Sequence, residues 1–205
     1  MSTIVVLAKA PVAGRVKTRL CPPLTLTTAA TVAAAALADT LDAVRGSTAD
    51  RRVLALCGAM PSLPPGFEVR PQRGAGLGQR LAAAFADCGP GPLLLIGMDT
   101  PQVTSGLLDS ALQRLAGVEA VLGRTLDGGW WALGLRDVRH AAVLADVPMS
   151  TSETGALTQA ALCRQGIAVA SLPVRQDVDT PADARAVAAL APATRFARAL
   201  AEAAP

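Results

Sequence analysis

Four cations fall close together near the start of this chain, Lys9, Arg15, Lys17 and Arg19, within the stretch LAKAPVAGRVKTRLCPP. Lysine occurs nowhere else among the 205 residues, and no Asp or Glu precedes Asp39. Positive charge gathered on a loop containing Gly and Pro suits a compact anion. Gly14 lets backbone N–H groups approach phosphate oxygens, and the four side chains neutralise their charge. The loop is not a Walker motif, because Val16 stands where glycine must precede the Lys-Thr pair.

Three carboxylates sit where the chemistry of a phosphate-bearing substrate needs them. Asp99 follows the apolar run PLLLIGM, and Asp179 occurs in a second Asp-Thr-Pro triplet, with Asp177 two residues before it as a competitor for the same role. Brought together, such carboxylates suit Mg²⁺ or Mn²⁺, which take a few carboxylate oxygens and share the rest of their shell with substrate phosphate and water. The alternative is a pair of helix caps. Asp127-Gly128-Gly129-Trp130-Trp131 combines a carboxylate, two flexible residues and the only two tryptophans. Asp127 can serve as hydroxyl partner or general base and Trp130 as a platform for an acceptor, or the segment can be a β-turn leading into a strand with buried indoles. Gly74-Ala75-Gly76-Leu77-Gly78 lacks the last glycine of a dinucleotide fingerprint, Gln79 standing in its place. A helix start at Gly76 still presents free N–H groups to a base or phosphate, with Arg80 in its first turn; it can equally be a tight connector.

The elements that must position these residues alternate. Short β-branched or apolar runs (3–8, 52–57, 67–70, 92–97, 118–122, 130–135, 167–173) read as strands. Ala- and Leu-rich segments (25–44, about 77–88, 105–116, 137–144, 152–165, one after Pro181 and one at the carboxyl end) read as helices. That alternation predicts an α/β domain on a largely parallel sheet. The basic loop, Asp99 and Asp179 then all fall at carboxyl ends of strands, where open α/β sheets bind ligands.

Composition narrows the class. The formal charge of +3 is concentrated in the first loop, without interleaved aromatics, which points to a small polyanion and away from nucleic acid. Cys21, Cys57, Cys88 and Cys163 form no CxxC pair and no disulfide framework, as expected of reduced thiols in a cytoplasmic protein. The most apolar long stretch, 25–38, is broken by threonines, so no membrane span is expected. No linker divides residues 1–205, and one domain is expected.

The ordered set Lys9-Ala10-Pro11 through Gly14-Arg15-Val16-Lys17-Thr18-Arg19-Leu20, Gly76-Leu77-Gly78-Gln79-Arg80-Leu81, Gly97-Met98-Asp99-Thr100-Pro101, Asp127-Gly128-Gly129-Trp130, Ser150-Thr151 and Asp179-Thr180-Pro181 resembles a family of small glycosyltransferase-A-fold proteins. These are sometimes labelled arsenosugar-biosynthesis glycosyltransferases and are more distantly similar to the guanylyltransferases of phospholactate and molybdopterin metabolism. The resemblance implies a single-domain nucleotide-diphospho-sugar transferase fold, with a mixed, mostly parallel sheet and helices on both faces. It implies that the first loop holds nucleotide phosphates, that Asp99 is a metal ligand and that Asp179 is a second. Arg124-Thr125-Leu126 and Met149 depart from the family pattern on the acceptor side.

The expected activity is metal-dependent transfer of a sugar from a nucleotide-diphospho-sugar to a small-molecule acceptor. Its alternatives are nucleotidyl transfer from a nucleoside triphosphate with pyrophosphate release, and nucleotide binding without catalysis.

Overall fold

The first β-branched run sits near the centre of the sheet, because its side chains are apolar on both faces. In the computed structural model, which describes residues 1–203, β1 (Thr3–Lys9) is flanked by β2 (Arg51–Cys57) and β4 (Leu93–Gly97), both parallel to it. With β3 (Glu68–Pro71), β5 (Ala120–Arg124), β6 (Trp130–Leu135) and β7 (Val169–Ser171) they form a seven-stranded sheet in the order β3-β2-β1-β4-β6-β5-β7. Only β6 runs against its neighbours. The carboxyl ends of the other six strands therefore share one edge with the start of β6 at Trp130.

Strand alternation decides which helices lie on which face. Ile4, Val6 and Ala8 pack with α1 (Leu26–Arg45) and α3 (Ser105–Gly117). Val5 faces the other way, toward α2 (Leu77–Ala86), a 3₁₀ segment at Val138–Ala145 and α4 (Thr154–Arg164). Helices thus cover both faces, as the family resemblance implies.

Alanine makes α1 possible as a helix buried on two sides. It has the highest helix propensity and leaves room for close neighbours. Ala33, Leu37, Leu41 and Val44 face the sheet. Ala29, Val32 and Ala36 meet α5 (Pro181–Leu190) and α6 (Arg195–Glu202). The carboxyl-terminal helix is packed, with Phe196 buried and the Asp39 carboxylate accepting from the N–H groups of Arg195 (3.1 Å) and Phe196 (2.8 Å).

Most element ends fall within two residues of the sequence expectation. The segment at 137–144 is a correction: it closes i to i+3 bonds, such as His140 N–H to Asp137 O at 3.2 Å, and is 3₁₀ where an α-helix was expected. The last strand is also shorter, three residues where seven were expected. No described helix is long and apolar enough to cross a membrane.

The 3₁₀ segment lies directly on α2 through a glycine. A Cβ added to Gly78 would stand 2.2 Å from the Leu144 carbonyl oxygen, a backbone atom that no rotamer change can move. Gly78→Ala is expected to lower stability by about 1–3 kcal/mol, read as a reduced urea midpoint at constant m value. An unchanged midpoint would contradict the contact.

Candidate functional site

The loop after β1 is held from below by two buried side chains, Val16 and Leu20. Between them Lys17 adopts the left-handed conformation (φ 49°), unusual for a residue with a side chain. This turns the chain into a 3₁₀ turn, Thr18–Leu20, and sends the lysine inward. Its side chain is only 8% exposed, with Nζ 2.6 Å from Asp99 Oδ1 and 3.4 Å from Asp179 Oδ1. Nζ also donates to the Val178 carbonyl. Nζ therefore has two hydrogen-bond acceptors, Val178 O and Asp179 Oδ1, and Asp99 Oδ1 as its nearest ion-pair partner. Arg19, largely exposed, reaches Asp179 Oδ2 at 3.2 Å. Lys9 and Arg15 point to solvent and make no ion pair among the described residues. Gly14, at φ 76°, forms the exposed turn of the loop.

Asp99 follows β4 and is anchored by buried Met98 and Thr100 on either side. Its carbonyl accepts from Val178 N–H at 2.9 Å, which ties the end of β4 to the 176–180 loop. Neither Asp99 nor Asp179 caps a helix. Thr104 caps α3 by accepting from Leu107 N–H, and Thr180 caps α5 in a capping box with Asp183. The two carboxylates are instead paired with Lys17 and partly open to solvent.

The Asp127 turn is built by its own side chain. Asp127 Oδ1 accepts from the Thr125 hydroxyl (2.5 Å) and from Gly129 N–H (2.9 Å). Gly128, at φ 91°, lies against the start of α4: Gly155 N–H donates to the Gly128 carbonyl at 2.8 Å. A carboxylate oxygen from each of Asp127, Asp177 and Asp179 lies within 4.8 Å of the others. Burial, and then the charges of Asp127 and Asp179, push the Asp177 carboxyl up to about 6.

That shift has a sign. Between its ordinary value of 3.8 and about 6, the folded chain keeps a proton on Asp177 that the unfolded chain has released. Metal-free stability is therefore expected to fall as pH rises through this window. Urea midpoints measured across it should decline, and Asp177→Asn should flatten the decline. Equal slopes in parent and variant would contradict the assignment.

The remaining sequence candidates are placed as follows. Gly76 is the N-cap of α2 and makes no side-chain cap bond. Arg80 turns back on its own loop, Nε donating to Gly74 O at 3.2 Å and Nη1 to Cys57 Sγ at 3.7 Å. Trp130 is half-buried against the core beneath α2 and α4, so its ring is not free on both faces. Trp131 is a core residue whose Nε1–H donates to Pro173 O at 3.0 Å. Sequence reasoning gave Asp177 only a competitor's place beside Asp179, although their spacing of two puts both carboxylates on one side of an extended segment. It missed Gly155 altogether, since its need for small size arises from the Gly128 and Gly129 carbonyls, 2.9 and 2.7 Å from where a Cβ would stand.

With this geometry in view, comparison with known proteins adds a family and a set of folds. The model of a family described as an uncharacterized protein conserved in bacteria (DUF2064) matches residues 25–151, a span that includes Asp99 and the Asp127 turn. No curated protein matches the chain by sequence. A crystal structure from Desulfovibrio desulfuricans G20, described as a candidate nucleotide-diphospho-sugar transferase, superposes with a TM-score of 0.88 at 25% identity, covering 98% of this chain and 94% of that one. Rv0371c from Mycobacterium tuberculosis H37Rv, crystallised in complex with manganese, gives 0.56 at 26% identity over 91% of this chain and 97% of its own. The 2-C-methyl-D-erythritol 4-phosphate cytidylyltransferase of Thermus thermophilus shares the fold at a TM-score of 0.58 and 20% identity, over 92% of this chain and 98% of its own.

Proposed function

The chain belongs to the DUF2064 family, and on that footing we propose that it is a single-domain, metal-dependent transferase that moves a sugar from a nucleotide-diphospho-sugar to a small acceptor. The observation that carries this reading is the contact of Lys17 with both Asp99 and Asp179. Lys17 and Arg19 of the loop after β1 meet the carboxylates beyond β4 and β7 at one edge of the sheet, as a metal-bound diphosphate requires. The fold shared with nucleotide-using transferases supports the same class.

The donor set fits Mg²⁺ or Mn²⁺, since it consists of carboxylate oxygens and already accommodates one cation, the Lys17 ammonium. Asp99 and Asp179 would hold the ion, and Asp127 and Asp177, each with an oxygen within 4.8 Å of Asp179, are near enough to share it. When bound, the ion supplies positive charge for the departing diphosphate. Lys9, Arg15, Lys17 and Arg19 share that electrostatic task around the backbone of Gly14. Gly76 and Arg80, at the start of α2, receive the nucleoside side of the donor. Asp127, with Gly128, Gly129 and Trp130, receives the acceptor. Fixed through Oδ1 by Thr125 and Gly129, the Asp127 carboxylate orients the acceptor hydroxyl. Through Oδ2 it takes the hydroxyl proton as that oxygen bonds to the anomeric carbon and the bond to diphosphate breaks.

Loss of one charge-assisted hydrogen bond costs about 1.5–3 kcal/mol. Lys17→Ala is thus expected to weaken metal–nucleotide binding about ten- to a hundredfold, measured by calorimetry. Unchanged affinity would refute the role.

Nucleotidyl transfer is the second reading, favoured by the fold shared with a cytidylyltransferase. The two chemistries differ in product: nucleoside diphosphate released from a nucleotide sugar supports the first, and pyrophosphate released from a triphosphate supports the second. Tight metal-dependent binding with neither product would mark a nucleotide-binding protein without catalysis.

A further inference from the structure

Lys17 has a dual relation to this cleft. A phosphate-binding lysine is ordinarily a solvated point charge on a flexible stem, with hydrogens free for its ligand. Lys17 is not solvated in this way: its nearly buried ammonium is paired with Asp99 Oδ1 at 2.6 Å and hydrogen-bonded to Asp179 Oδ1 at 3.4 Å and to the Val178 carbonyl. The two carboxylates it joins lie on different loops, one after β4 and one before α5, and one cation already contacts both. Val16 and Leu20 fix the loop on either side, so only the lysine side chain has to move to change partners.

We infer that Lys17 is a tethered stand-in for the metal: in the nucleotide-free protein its ammonium occupies the cation position between Asp99 and Asp179. It leaves that position when the ion arrives, moving to the phosphates brought with it. Resting on the metal reading above, this inference makes entry of metal and nucleotide one coupled event. Metal alone must displace an ammonium that then has no partner; metal with nucleotide supplies phosphate oxygens to receive it. The coupling follows from exchange of one cation for another on the same carboxylates.

The test is a titration of Mn²⁺ without nucleotide, followed by the electron paramagnetic resonance signal of the free ion. Lys17→Met is expected to bind Mn²⁺ at least about tenfold more tightly than the parent, while binding the metal–nucleotide complex more weakly. Lys17→Arg, which keeps the charge, should show no gain. The double variant Lys17→Met/Asp99→Asn should lose the gain, which separates a shared site from a general change in charge. Equal or weaker Mn²⁺ binding by Lys17→Met, or a gain that survives in the double variant, would overturn the inference.

The parent protein supplies a second measurement. The chain has two lysines, of which Lys9 is exposed, so acetylation followed by peptide mass spectrometry reads Lys17 against an internal reference. Saturating Mg²⁺ alone should speed acetylation of Lys17 relative to Lys9, and adding a nucleoside diphosphate should slow the absolute rate at Lys17 again. An acetylation ratio indifferent to Mg²⁺ would overturn the inference as well. Failure of the parent to bind metal even with nucleotide would instead defeat the metal reading itself.

Discussion

Asp99→Ala is expected to abolish the Mg²⁺-dependent part of nucleotide binding while the protein still melts cooperatively. Asp99 is the carboxylate nearest the buried ammonium and lies on the loop that ends the buried strand β4. Removing it takes away one of the two proposed metal ligands and leaves Lys17 with Asp179 and the Val178 carbonyl. The stability cost should be small, about 1 kcal/mol, because the Asp99 side chain is 43% exposed and water replaces part of the lost pairing. Binding should suffer far more. Thermal shifts with nucleotide in Mg²⁺ should fall to those seen in chelator, and the metal-dependent increment should vanish. A full Mg²⁺-dependent shift in the variant would remove Asp99 from the site.

Gly128→Ala is the second large effect, and it falls on the acceptor side. Position 128 has φ 91°, where an L side chain is strained, and its Cβ would lie 1.8 Å from the Ser152 carbonyl oxygen. Strain alone costs about 1–2 kcal/mol. The contact is with backbone, so the turn must move away from α4. That movement breaks the Gly155 to Gly128 bond and carries Asp127 out of register with the cleft. A displacement of about 1 Å at a reacting group can lower turnover about a hundredfold. Turnover of donor and acceptor should therefore drop by at least about that factor, whereas nucleotide affinity, set by the first loop, should change by only a few-fold. Unaltered turnover would separate Asp127 from the chemistry.

Much of the fold can be read locally. The run Trp130–Leu135 is a strand over the range its continuous apolar character predicts, and Thr25 caps the alanine-rich helix that begins at Leu26. The 3₁₀ segment at Val138–Ala145 could not be read that way, because composition favours helical closure without choosing i+3 over i+4, and its packing on Gly78 is a long-range fact. The same division holds at the cleft. Lys17, Asp99 and Asp179 stand out in the sequence, since each follows a strand and lies beside a turn-forming residue. Their meeting does not, because a strand end has no record of which side chain will cross to it. The sequence supports Lys17 as a phosphate ligand and Asp99 as a metal ligand separately; it contains nothing that says the ammonium rests on the carboxylate. Asp177 was half legible, through its spacing from Asp179, but its raised proton affinity depends on burial and on Asp127, some fifty residues away. Gly155 has no local signature, because only the opposing turn demands its small size.

A calorimetric titration of the parent protein with a nucleoside diphosphate, once in Mn²⁺ and once in chelator, bears most directly on the shared cleft. Saturable one-to-one binding in Mn²⁺ that is lost or weakened at least about tenfold in chelator is the expected result. Equal affinity in both, or no binding in either, would contradict the account.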